Sequence, residues 1–144
     1  MNVSAPLIRI LPYAGVLPFV GCASLLLFGV KSLPPFGQTN TVMFTYGLVI
    51  VSFMAGVHWG QYLSGVRTRV NLLASSNAVA LAAWFGFLLL PPFFFSFLLI
   101  VLFIILNSID NHLGDEGTLD ASYRKSRRNV TALVCISLLA VAFA

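Results

Sequence analysis

Apolar residues run through this chain in long blocks separated by short polar breaks. Five blocks stand out, over residues 11–30, 42–63, 72–90, 93–110 and 130–144. A helix of about 18 or more apolar residues is long enough to cross the roughly 30 Å hydrocarbon core of a bilayer. The pattern therefore predicts an all-α, polytopic membrane protein, a bundle of five transmembrane helices in one domain over residues 1–144. The first helix begins near Pro12, since proline is tolerated in a first helical turn. It gives way to the turn-rich stretch KSLPPFGQTN. The basic loop GVRTRVN joins the second block to the third. The third and fourth are separated only by LPPFFF, a tip that is either shallow in the interface or re-entrant. Residues 110–129 form the one long polar loop, and the fifth helix is short, about 15 residues or roughly 22 Å. Neither an internal repeat nor a broken helix is read.

Composition sharpens this picture. The chain is 59% hydrophobic and 8% charged, whereas a soluble domain carries about a quarter charged residues. So few charges cannot coat a water-facing surface. Cys22 and Cys135 both fall in apolar blocks, where thiols act as small hydrophobes rather than a disulfide framework. FVGC, residues 19–22, has the outline of a lipoprotein cleavage site, but the apolar run continues past it, so a retained first helix is expected. Excess Lys and Arg mark cytoplasmic loops. With five spans, one side holds Arg9, Arg67, Arg69, Arg124, Lys125, Arg127 and Arg128, and the other only Lys31. The expected orientation is N-terminus cytoplasmic and C-terminus outside, in a bacterial inner (plasma) membrane or, in a eukaryote, the mitochondrial inner membrane. The net charge of +4 then reflects topology and not nucleic-acid binding. Arg124, Lys125, Arg127 and Arg128 are also expected to attract anionic lipid headgroups, at about 1 kcal/mol per basic residue.

The stretch FMAGVHWGQYLSG, residues 53–65, carries the chemistry. Positions three and four apart share a helix face, so His58, Gln61 and Tyr62 point one way. Ser52, Gly56, Gly60 and Ser64 form a separate small-residue stripe, a pattern that lets another helix approach closely. His58 needs a partner, because an unsatisfied polar group in hydrocarbon costs several kcal/mol. It lies about six residues, roughly 9 Å, from the cytoplasmic end of its helix. Asn77, and the face Asn107, Asp110 and Asn111, are the candidates at that depth, with Thr131 opening the last helix. The expected arrangement bonds His58 to Asn77 or to the Asn107/Asp110/Asn111 face while Gly56 and Gly60 let the helices close. On that account Gly60→Leu disturbs folding more than His58→Gln. Trp59 and Tyr62 read as interfacial anchors and Trp84 as core.

The loop DNHLGDEGTLD offers Asp110, His112, Asp115 and Glu116, but not at the spacing of a calcium loop. It reads as solvated, and no metal or other cofactor is expected. No serine has a His/Asp pairing, and neither a Gly-rich phosphate cradle nor a CxxC pair occurs, so no catalytic residue is assigned.

FMAGVHWG, followed after a tryptophan-containing third helix by YRKSRRNVTALV, resembles domain-of-unknown-function family 3429, small multi-pass membrane proteins similar to the mitochondrial transmembrane protein 69. The resemblance spans roughly residues 10–143. Its pattern falls here on His58, Trp59 and Gly60, then on Tyr123, Arg127 and Thr131. The chain departs at Ala121 and Ser122, where the pattern has a tryptophan before the tyrosine. The family implies location and architecture but no reaction. The tryptophan-rich sensory proteins, of similar size, are set aside because their Trp-x-Pro-Pro signature is absent. The sequence therefore favours a non-enzymatic accessory or assembly protein docking on a larger membrane complex, with a membrane protein partner. The alternative is a binder or carrier of an amphiphilic ligand, a quinone or lipid, in a cytoplasm-facing polar pocket around His58.

Overall fold

A computed structural model describes residues 4–117 and 119–144. Met1–Val3 of the expected domain and Thr118 of the expected loop lie outside the described residues. Among the described residues six helices follow in order: α1 Ser4–Ala14, α2 Leu17–Leu27, α3 Thr39–Leu63, α4 Leu72–Leu89, α5 Pro92–Asp115 and α6 Ala121–Ala142. Between α2 and α3, β1 Ser32–Leu33 pairs antiparallel with β2 Gly37–Gln38.

The first apolar block is not one smooth helix. Pro18 has no N–H, and its ring would clash with the Ala14 carbonyl. The chain breaks at Gly15–Val16 and restarts with proline in the first turn of α2. The Tyr46 hydroxyl donates to the Gly15 carbonyl at 3.0 Å and satisfies a group that the break exposes. The expectation of one unbroken helix beginning near Pro12 is thus corrected: α1 starts at Ser4 and carries Pro12 inside it, and Pro18 is the cause of the break.

The third block matches α4 closely, and Asn71 caps it by accepting from the Ala74 amide at 3.1 Å. Gly65, with φ 94°, ends α3 in the left-handed conformation that favours glycine. The expected long loop over 110–129 shrinks to a short link at 116–120, because α5 continues to Asp115 and α6 begins at Ala121. Both extensions are amphipathic. In α5, Asp110 and Leu113 turn inward, whereas Asp115 is exposed. In α6, Arg127, Val130, Thr131 and Val134 turn inward, whereas Lys125, Arg128 and Asn129 are exposed. Polar residues in these turns continue the helices instead of ending them.

Helix α3 lies along α4 and α2, α5 lies along α6, and α1 rests on α6. The core follows α5, whose Phe95, Leu99, Phe103 and Leu106 meet Phe19, Met43, Val51, Val134 and Leu138 from the surrounding helices. Phe19 packs edge-to-face on Tyr46 and Phe103, with ring centroids 5.2 and 5.8 Å apart. Gly86 admits Leu98 and Phe95 where a side chain would collide. Near the other end, Ser96 donates to the Leu138 carbonyl at 2.7 Å and ties α5 to α6.

Large apolar side chains also cover much of the outer surface. Leu17, Phe28, Val49, Phe53, Leu88, Ile104 and Ile136 are all exposed, an arrangement that water-soluble monomers avoid and a bilayer favours. Among the described residues, four segments are long and apolar enough to cross a membrane: Pro6–Leu27, Thr39–Leu63, Leu72–Leu89 and Pro92–Asp115. The basic first turns of α6 keep it from qualifying in the same way. Trp84, expected in the core, is about half exposed, with its ring beside Phe85 on the outer surface.

Candidate functional site

Three charged or ionisable side chains from three helices converge in the interior. His58 on α3 and Asp110 on α5 meet with Nε2 2.8 Å from Oδ1. Arg127 on α6 donates from Nε to the other carboxylate oxygen of Asp110 at 2.9 Å. Relative exposures are 0% for His58, 2% for Asp110 and 5% for Arg127, so water does not screen the group. Asp110 accepts on both oxygens, which assigns a proton to Nε2 of His58. A buried ion pair contributes little net stability over an apolar filling of the same shape, but loss of one partner is strongly destabilising. The carboxylate is therefore the hinge of the group, since both of the others depend on it.

Of the partners expected for His58, the structure selects Asp110. Asn77 is exposed and donates to the Leu73 carbonyl of its own helix at 2.9 Å, so it takes no part. Asn111 lies partly buried, and its backbone carbonyl accepts from Arg124 at 3.3 Å. Gln61 and Asn107 lie on the same faces as His58 and Asp110, and their side-chain oxygens are buried without a hydrogen-bond partner among the described residues. Tyr62 turns aside instead. Arg67 sits 4.4 Å over its ring, and the tyrosine packs on the small cluster of Leu72, Ile109 and Leu113.

Two expectations are overturned here. Arg127 is buried in an ion pair and cannot face lipid headgroups; of the basic cluster, Lys125 and Arg128 are exposed, while Arg124 binds Asp115 at 2.8 Å. The stripe Ser52, Gly56, Gly60 and Ser64 is exposed along its whole length, and no atom lies within 4 Å of where a Cβ at Gly56 or Gly60 would sit. Those glycines do not close the bundle. Gly114 does, because the Arg124 side chain occupies the place of its missing Cβ. Trp59, half exposed at 40%, sits on the outward side of α3.

The resemblance residues Tyr123, Arg127 and Thr131 are spaced by four, so they share the face of α6 that looks into the bundle. All three line a cavity of about 260 Å³ enclosed with Pro12 and Gly15 at the broken first helix, and Phe53 on α3. Its walls are otherwise apolar, and its rim residues Ile8, Leu11 and Phe53 are exposed. The opening thus faces sideways, between α1 and α3. Nη2 of Arg127 and Oγ1 of Thr131 are buried and have no hydrogen-bond partner among the described residues. Tyr123 lies in the basic first turns of α6, outside its apolar segment. Burial raises its phenol above the usual range, against the pull of Arg127 and with the push of Asp110, so it remains an O–H donor. Orphaned buried donors are rare in folded proteins. A site with apolar walls and a few convergent polar groups has the make-up of a ligand pocket.

Sequence reasoning found His58 and Asp110 but missed this cavity. A helix projection of residues 121–134 contains the signal: Arg127 shares its face with Val130, Thr131 and Val134 and not with Lys125 and Arg128. The contribution of α1 had no comparable signal, since it depends on the break at Gly15–Val16.

Neither a curated protein nor a solved structure matches this chain. The profile of one family, described as "Protein of unknown function (DUF3429)", matches residues 4–143, nearly the whole described length. The chain belongs to that family.

Proposed function

We propose that this chain is a non-enzymatic membrane protein that binds or carries an amphiphilic ligand, a quinone or a lipid, in the cavity beside Arg127. The carrying observation is the cavity itself, apolar over most of its wall, open sideways past exposed Ile8, Leu11 and Phe53, and lined on α6 by Tyr123, Arg127 and Thr131. An apolar cavity with a few polar side chains in its wall and a sideways mouth favours a ligand that enters from lipid with its polar head inward. The proposed setting is a five-span bundle, with the apolar part of α6 as the fifth crossing. The N-terminus is cytoplasmic and the C-terminus outside, in a bacterial plasma membrane or, in a eukaryote, the mitochondrial inner membrane. Support comes from the basic residues, all of which but Lys31 lie towards the end of the bundle where α1 and α6 begin and where α3 and α5 finish. Lys125 and Arg128 face anionic headgroups there.

Native mass spectrometry of the protein in mild detergent tests the reading. The wild type should carry one small amphiphile per chain, and Ile50→Trp, which puts a larger ring into the cavity that Ile50 lines, should lose it while remaining folded. A wild type that is ligand-free at every detergent strength would sink the proposal.

A second reading, docking on a larger membrane complex, is favoured by the open stripe over Gly56 and Gly60. Pull-down in mild detergent with wild type and Gly60→Leu tests it. A partner retained by both, or captured by neither, would count against the stripe as the docking face.

A further inference from the structure

Resting on the membrane setting proposed above, but not on the cavity beside Arg127, we propose that a groove between the end of α5 and the start of α6 binds a doubly anionic phospholipid. Its head carries two phosphodiesters, with acyl chains attached on both sides. The groove encloses about 290 Å³ and is lined by Asn111 on α5 and by Ala121, Arg124, Lys125 and Arg128 on α6. Three cations thus meet at one small recess, and among the described residues no acidic side chain lines it. Charge sets the ligand. Arg124 is matched by Asp115 at 2.8 Å. Lys125 and Arg128 are exposed and have no ion pair among the described residues. Two unmatched positive charges call for two negative ones. Phosphate oxygens suit both side chains, the arginine as a fork and the lysine as a point charge. The Asn111 amide has N–H groups for the same oxygens. A zwitterionic head brings an ammonium against these cations and loses by it.

The surface that leaves the recess is apolar on both helices. On α5, Asn111 shares its face with Ser108, Ile104 and Val101, and on α6, Arg128 shares its face with Ala132, Ile136 and Leu139. All six of these further residues are exposed. The Ser108 hydroxyl donates to the Ile104 carbonyl of its own helix at 2.8 Å, so its proton makes no demand on the lipid. Two apolar tracks therefore run from one basic recess into the membrane, one along each helix. A head that joins two diacylglycerol arms through two phosphodiesters matches that layout. A phosphomonoester head has the charge but only one arm. Basic recesses between helices at the cytoplasmic side are where multiply charged headgroups are recognised.

Native mass spectrometry of the delipidated full-length protein in a neutral detergent tests this by titration with four lipids of equal acyl length. These are diphosphatidylglycerol, phosphatidic acid, phosphatidylglycerol and phosphatidylethanolamine, at mildly alkaline pH, where the phosphomonoester is also doubly charged. Diphosphatidylglycerol should bind about fivefold more tightly than phosphatidylglycerol, since it meets one more cation, and phosphatidylethanolamine should bind least. Lys125→Gln and Arg128→Gln should each keep the unfolding midpoint and weaken diphosphatidylglycerol about fivefold. Arg69→Gln, at an exposed arginine in the link between α3 and α4 and outside the groove, should leave binding unchanged. If phosphatidic acid equals diphosphatidylglycerol, the two-armed head is overturned and the doubly charged site stands. If phosphatidylglycerol equals it, or Arg69→Gln weakens binding as much as Arg128→Gln, diffuse surface charge explains the binding and the groove is no site. If no anionic lipid is preferred over phosphatidylethanolamine, the placement of this end at a headgroup layer loses its support together with the groove. The amphiphile of the Arg127 cavity is read separately, by its loss in Ile50→Trp.

Discussion

The two faces of α3 differ more than their shared helix suggests. One carries Val51, Met54, Ala55 and His58, all buried against α2, α4 and α5. The other carries Ser52, Gly56, Gly60 and Ser64, exposed throughout, with open space above both glycines. The face that carries the histidine, which costs energy to bury, is the one inside, and the small-residue face suited to close packing looks out. In a membrane this inversion has a physical basis. Small residues lose little by facing lipid, whereas His58 has nowhere in hydrocarbon to find a partner except Asp110. Folding therefore rests on the ionisable face, and the glycine face is left free for something outside the chain.

Substitutions on the two faces should rank accordingly. The largest effect belongs to Asp110→Ala, which strips His58 and Arg127 of their common partner and leaves a buried guanidinium uncompensated. A loss of about 3–5 kcal/mol is expected, read as a large fall in the midpoint of thermal unfolding in detergent. Gly86→Leu should follow, at about 1–3 kcal/mol by overpacking against Leu98 and Phe95; an unchanged midpoint would mean that α4 and α5 are more loosely packed than described. His58→Gln should cost about 1 kcal/mol, since glutamine can still donate to Asp110 and interhelical bonds in membranes are individually modest. Gly60→Leu should lie within about 0.5 kcal/mol of the wild type, the reverse of the ranking expected from the sequence. A Gly60→Leu protein that unfolds while His58→Gln stays intact would restore the packing role for the stripe and erase the contrast between the faces.

Much of the fold was legible because hydrophobic blocks in a membrane chain are long and their breaks polar. The ends of α4 and the end of α3 at Leu63 could be read to within a residue. What failed has particular causes. The break at Gly15–Val16 follows from Pro18, whose clash with the Ala14 carbonyl leaves no trace when only apolar length is counted. The ends at Asp115 and Ala121 were missed because amphipathic turns look like loop when only apolar length is counted. For the site, helix phase gave His58 its facing residues, but Asp110 could not be singled out from Asn77, Asn107 and Asn111 without the relative rotation of α3, α4 and α5. Arg127 was misplaced because a run of four basic residues in five positions reads as one patch, although one of the four points inward.

The central claim is that Asp110 and Arg127 form a buried, mutually dependent pair beside the cavity that Arg127 lines. A double-mutant cycle on Asp110→Asn and Arg127→Met, measured by thermal unfolding in one detergent, tests it most directly. Each single variant leaves a buried group without its partner, whereas the double variant removes both charges together. The account predicts that the double variant is more stable than Asp110→Asn alone, with a coupling of about 1–3 kcal/mol. Effects that simply add would contradict it.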